Sequence, residues 1–67
     1  MNEHMYKMIE IVGSSPESIE RAIQNGIEQL SKTAPQHTWC EVGEIHARLD
    51  NGKISAYQVR LKVATAL

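Results

Sequence analysis

The chain reads as an α+β domain in the order strand, helix, strand, strand, and three observations carry that reading. A short run dense in strand formers, Tyr6 to Val12, halts at a Gly-Ser-Ser-Pro segment. One stretch with helical apolar spacing comes next. The remainder is two long β-prone runs joined through Asn51-Gly52, the strongest short-range hairpin signal. Residues 1–5 are polar and unpatterned and read as a flexible N-terminus that includes His4, so a single domain is expected over 6–67.

The first strand is expected to stop at Val12, because Gly13, Ser14, Ser15 and Pro16 supply turn and helix-start chemistry. Ser15 is the expected N-cap, with Pro16 at the first helical position and Glu17 in the first turn; Ser14 with Glu17 would form a capping box instead. Ile19, Ala22, Ile23, Ile27 and Leu30 then make the apolar stripe of a helix with one face on a sheet. Pro35 ends that helix by about Lys32 or Thr33. Gly26 costs about 1 kcal/mol relative to alanine inside a helix, so it marks either a close backbone approach or an exposed position.

The hairpin strands are expected over Thr38 to Leu49 and Ile54 to Ala66. A two-residue loop pairs Asp50 with Lys53 and Leu49 with Ile54, and unbroken counting pairs Gln58 with Ile45 and Glu41 with Lys62. Cys40, Val42, Tyr57, Val59, Leu61 and Val63 then share the face that takes the helix. Trp39, Glu41, Ile45, Ala47, Leu49, Ile54, Ala56, Gln58, Arg60 and Lys62 share the other. The apolar residues change faces partway along in both strands, which favours a face exchange over a bulge at Gly43 that would shift one strand only. Nothing in the chain remains to cover the apolar tip, so that patch is an expected contact with further copies.

Composition narrows the functions. A domain of 67 residues buries only about 60% of its unfolded surface, and its single cysteine, Cys40, excludes an intrachain disulfide. No paired Cys or His spacing offers a zinc staple, which leaves oligomerisation as the stabiliser. Cys40 itself reads as a small core hydrophobe. Seven Lys and Arg against eight Asp and Glu give a net charge of −1 with no basic stripe, which argues against a nucleic-acid partner. With no apolar run of membrane-spanning length and no leader pattern, no membrane partner and a cytoplasmic location are expected.

The candidates for chemistry are few. Trp39, the only tryptophan, lies on the face away from the helix and serves either as an interface anchor or as a stacking platform for a planar ligand. Gln58 is either an ordinary strand residue or an amide that offers a donor and an acceptor to a heterocycle edge. Counting puts the two about 20 Å apart at strand rise, so one flat ligand meets both only across subunits or on a strongly curled sheet. His4, His37 and His46 lack ligand spacing, and no catalytic triad or phosphate loop can be assembled. Glu41 and Glu44, three apart, fall on opposite faces of a regular strand, so paired-carboxylate catalysis is not supported and a non-enzyme is expected.

Lys7 to Ser15, the Ile-Glu-x-Ala-Ile helix, Trp39-Cys40-Glu41-Val42, and Ala56-Tyr57-Gln58-Val59 through Val63 resemble the dodecins, small flavin-binding proteins. The likeness extends from Tyr6 to Val63. It implies β-α-β-β subunits whose three-stranded antiparallel sheet wraps one helix, assembled into a hollow homododecamer that holds stacked flavins: riboflavin, lumichrome or FMN. It further implies that Trp39 stacks on the isoalloxazine ring and that Gln58 bonds its pyrimidine edge. His46 stands where members commonly carry an arginine associated with phosphate contacts, and Ala64-Thr65-Ala66 stands where they carry Gly-Phe-Arg. The implied function is non-catalytic flavin storage and sequestration. The second reading, from another class, is a self-assembling shell or interaction module with Trp39 as an interface anchor. A flavoenzyme is third, for want of an acid, base or nucleophile.

Overall fold

The computed structural model describes residues 5–32 and 37–67, with Thr38 described by its backbone alone. Strand β1 (Tyr6–Ser15), helix α1 (Ile19–Ser31), strand β2 (His37–Asp50) and strand β3 (Lys53–Ala66) follow in the expected order. They form a three-stranded antiparallel sheet in the order β1-β3-β2, with the helix packed on β1 and β3. His4, Thr33 and Pro35 lie outside the described residues.

β1 outlasts its expected stop at Val12 by three residues. Gly13, Ser14 and Ser15 pair with Val59, Gln58 and Tyr57, because the central strand presents backbone groups that must find partners, and that demand overrides local turn propensity. The extension moves the helix start. Ser15 is buried in the sheet, where its Oγ accepts from the Glu17 N–H at 3.0 Å and closes the turn around Pro16. Ser18, not Ser15 or Ser14, is the N-cap: its extended backbone stands outside the helix and its Oγ accepts from the Arg21 N–H at 3.0 Å. The C-cap is Lys32, as the sequence indicates.

The helix and β1 cross at two glycines. A Cβ on Gly13 would collide with the Ala22 carbonyl oxygen, and one on Gly26 would lie 3.1 Å from the Gly13 Cα and 3.2 Å from Leu61 Cδ1. Gly26 therefore marks a close approach. Around it Ala22, Val59, Leu61 and Val63 form the buried core, flanked by Ile11, Ile23, Ile27, Leu30, Cys40 and Tyr57. Cys40 is a half-buried free thiol at the edge of this cluster.

The hairpin turn has the expected form. Asn51 and Gly52 both adopt positive φ (53° and 77°), and Asp50 pairs with Lys53 and Leu49 with Ile54. The register then departs from unbroken counting. An offset beside Ser55 makes Arg48 face Ala56, Ala47 face Tyr57, His46 face Gln58 and Ile45 face Val59. A second irregularity sets Gly43 and Glu44 opposite Arg60 and restores the original count at Val42 and Leu61. The expected face exchange is therefore corrected: the bulge at Gly43 is present after all, and a second bulge, beside Ser55 in the other strand, has the opposite offset and cancels it. A third shift accompanies Thr38.

This changes which face the tip residues occupy. Directly paired residues share a face, so Ile45, Ala47 and, by alternation, Leu49 with Ile54 lie on the helix side with Tyr57 and Val59, not beside Trp39 and Gln58. The helix does not reach them. Ile45, Leu49 and Ile54 are 49%, 69% and 52% exposed. β1 ends at its Ser15–Tyr57 pair, so the tip projects as a two-stranded ribbon from a molecule 52 Å long.

Candidate functional site

The side of the sheet away from the helix carries the candidate residues in successive cross-strand rows. One row is Trp39, Ala64 and Met8; the next is Glu41, Lys62 and Glu10; another is His46, Gln58 and Ser14. Gln58 lies in the central strand and is half-buried between its two neighbours. The expectation that Gln58 faces Ile45 is corrected here: the offset beside Ser55 substitutes His46, so an imidazole and a side-chain amide stand side by side.

Trp39 is 50% exposed. The Tyr6 ring meets it edge-on, with centroids 6.0 Å apart and planes at 63°, a favourable quadrupole arrangement that restrains the indole. Beside it lies an open apolar hollow of about 170 Å³ bordered by Ile27, His37, Cys40 and Val63. A flat aromatic platform next to an apolar recess suits a planar heterocycle. Deeper in, His37 Nδ1 meets Thr65 Oγ1 at 2.9 Å, while its Nε2 is buried without a hydrogen-bond partner.

The structure does not bring Trp39 and Gln58 together within one chain. Trp39 pairs with Ala64, six residues from Gln58 along β3, or roughly 20 Å at strand rise. A planar three-ring ligand cannot span that interval. Within one chain the two residues are therefore separate.

Between Trp39 and Gln58 runs a charged network, of which only the Glu41–Lys62 pair was legible in the sequence. Arg60, two residues from Gln58 on the same face, directs Nη1 to Glu44 Oε1 at 3.5 Å and Nε to Glu10 Oε2 at 3.7 Å; His46 Nε2 approaches the same Glu44 oxygen at 3.9 Å. Glu41 and Glu44 were expected on opposite faces. The bulge at Gly43 turns Glu44 onto the Arg60 side, and both carboxylates border one surface recess with Glu10, Arg60 and Lys62. Ser14 was missed too, since the sequence placed it in a turn, whereas it completes the row beside Gln58 and its carbonyl accepts from Asn25 Nδ2 at 3.0 Å. Gly43 inside a strand pattern did mark a possible bulge, but the simultaneous change in both strands argued against it, because the compensating bulge beside Ser55 left no such mark. Among the described residues no group of three or more His, Cys, Asp or Glu is placed to hold a metal ion, and no helix is long and apolar enough to cross a membrane.

Comparison with known proteins gives one consistent result. The profile of the dodecin family matches residues 5–67. A dodecin of Thermus thermophilus is 38% identical over 63 residues, covering 94% of this chain and 91% of that protein. The fold superposes on the dodecin of Streptomyces davaonensis with a TM-score of 0.92 at 41% identity, covering 98% of this chain and 97% of that one. It superposes on the Streptomyces coelicolor dodecin with the same TM-score at 31% identity, covering 100% and 96%.

Proposed function

Since the chain belongs to the dodecin family, we propose that it is a flavin-binding protein without catalytic chemistry of its own, which stores and sequesters riboflavin, lumichrome or FMN in the cytoplasm. The observation that carries this reading is the pairing of an exposed, edge-restrained indole with an amide on the same sheet face but roughly 20 Å away. Such half-sites become one binding site when Trp39 of one copy meets Gln58 of another.

Association has a physical motive. The helix covers only the base of the sheet, leaving Ile45, Leu49 and Ile54 bare on its own side and Met8 and Val12 bare on the opposite side. So small a core gains from burying these faces against further copies, and a closed homododecamer is the assembly we propose. Within it Trp39 stacks on the ring and Gln58 exchanges hydrogen bonds with the pyrimidine edge, matching its donor and acceptor to the ring's carbonyl and N–H groups. A stacked indole quenches the excited ring, and enclosure limits its photochemistry.

Riboflavin titration tests this. Flavin and tryptophan fluorescence should fall together, and Trp39→Ala should weaken affinity by about 1 to 3 kcal/mol, the scale of base stacking on aromatics. Unchanged affinity in that variant would refute the stack. The bare tip would then favour the second reading, a self-assembling shell that needs no flavin.

A further inference from the structure

One permanent cation, Arg60, and one imidazole, His46, border the Gln58 half-site, and both already meet a carboxylate. Arg60 lies one side-chain repeat from Gln58 along β3, and His46 faces Gln58 directly across the ladder. Glu44 reaches both through one oxygen, Oε1, at 3.5 Å from Arg60 Nη1 and 3.9 Å from His46 Nε2. Glu10 of β1 takes the other side of the same guanidinium at 3.7 Å, and Glu41 and Lys62 complete the rim of the recess. Glu44 is there only because the Gly43 bulge supplies an extra residue: in an unbulged strand it would alternate with Glu41 and point away from Arg60.

Resting on the flavin-binding reading above, we propose that Glu44 is a specificity-determining residue, an internal anion that occupies the Arg60 guanidinium and adjoins the His46 imidazole beside Gln58, and so biases the site against phosphorylated flavins. A phosphate monoester carries about −1.5 to −2 charges near neutral pH. To use Arg60 or His46 it must displace a carboxylate that is already part of the chain and needs no recruitment. An unphosphorylated flavin has no such competitor, since its ring carries no formal anion for Glu44 to oppose. The pairs are half-exposed or more, so the bias is modest.

The test compares riboflavin and FMN dissociation constants for the intact oligomer at low salt, where the Debye length is still about 10 Å or more. Glu44→Gln should leave riboflavin binding unchanged and raise FMN affinity about two- to fivefold. Arg60→Gln added to Glu44→Gln should remove that gain. Glu41→Gln, which makes the same charge change on the same face, should leave the FMN to riboflavin ratio at its wild-type value. An unchanged or lower ratio in Glu44→Gln, or an equal rise in Glu41→Gln, would overturn the proposal. Wild-type protein that binds neither flavin would instead overturn the flavin reading beneath it, so the two failures are distinguishable.

Discussion

Replacing Gly13 with alanine should cost more than any other single-methyl insertion in this chain. The added Cβ would lie inside contact distance of the Ala22 carbonyl oxygen, also 3.0 Å from that carbonyl carbon and 3.3 Å from the Gly26 nitrogen. All three are backbone atoms of the helix, so no side-chain rotation relieves the clash. The helix must lift by on the order of 1 Å, which forfeits part of the dispersion energy along the whole crossing. Overpacking of this kind costs about 1 to 3 kcal/mol and occasionally more, and Gly13→Ala should fall at the upper end. Gly26→Ala makes a useful contrast. It gains about 1 kcal/mol of helix propensity but places a methyl 3.1 Å from the Gly13 Cα, so its net loss should be smaller. Gln24→Ala, on the exposed helix face, should change little. Urea denaturation at one fixed protein concentration measures all three, because the stability of the proposed oligomer would depend on concentration. A Gly13→Ala protein as stable as wild type, or less damaged than Gly26→Ala, would refute the crossing geometry.

Three further outcomes are expected. Ser18→Ala should cost about 1 kcal/mol by removing the N-cap, whereas Ser14→Ala should leave the helix start intact; denaturation separates them. Ile45→Asp should dissociate the assembly, read by native mass spectrometry, while Glu17→Lys on the exposed helix start should not; a persistent oligomer in Ile45→Asp would discount the bare tip as the contact. His46→Arg should raise FMN affinity relative to riboflavin, because it places a permanent cation beside Gln58, and isothermal titration would show a flat ratio if that position never meets the phosphate.

Much of the fold could be read locally. The helix stripe from Ile19 to Leu30 and the Asn51-Gly52 turn are short-range signals, and both hold. What escaped depends on partners distant in sequence. Ser14, Ser15 and Ser18 are three plausible caps within five residues, and the choice fell to Ser18 only because β3 lies in the middle of the sheet and keeps Ser15 extended. The apolar pattern along the hairpin suggests a change of faces on an unbroken register, whereas two bulges keep those residues on one face. Its cause was legible only in the register, where Ser55 and Gly43 contribute opposite offsets. Trp39, Gln58 and His46 were legible as residues of unusual chemistry. That His46 rather than Ile45 adjoins Gln58 followed from the offset beside Ser55, which no local signal fixes, and that Glu44 reaches Arg60 followed from the separate bulge that Gly43 marks.

The paired bulges matter beyond register. Offset can take either sign, so a residue added to β2 and one added to β3 restore the count. Twist has only one sign, and each bulge adds to it. The hairpin therefore accumulates rotation without accumulating slip, like a ribbon wrung at two places whose edges still finish level. Were copies to meet through so wound a hairpin, as proposed above, each junction would turn the next copy out of plane instead of extending a flat, edge-to-edge array. On the assembly proposed above, two surplus residues would thus bias the contact toward closure and away from the fibre.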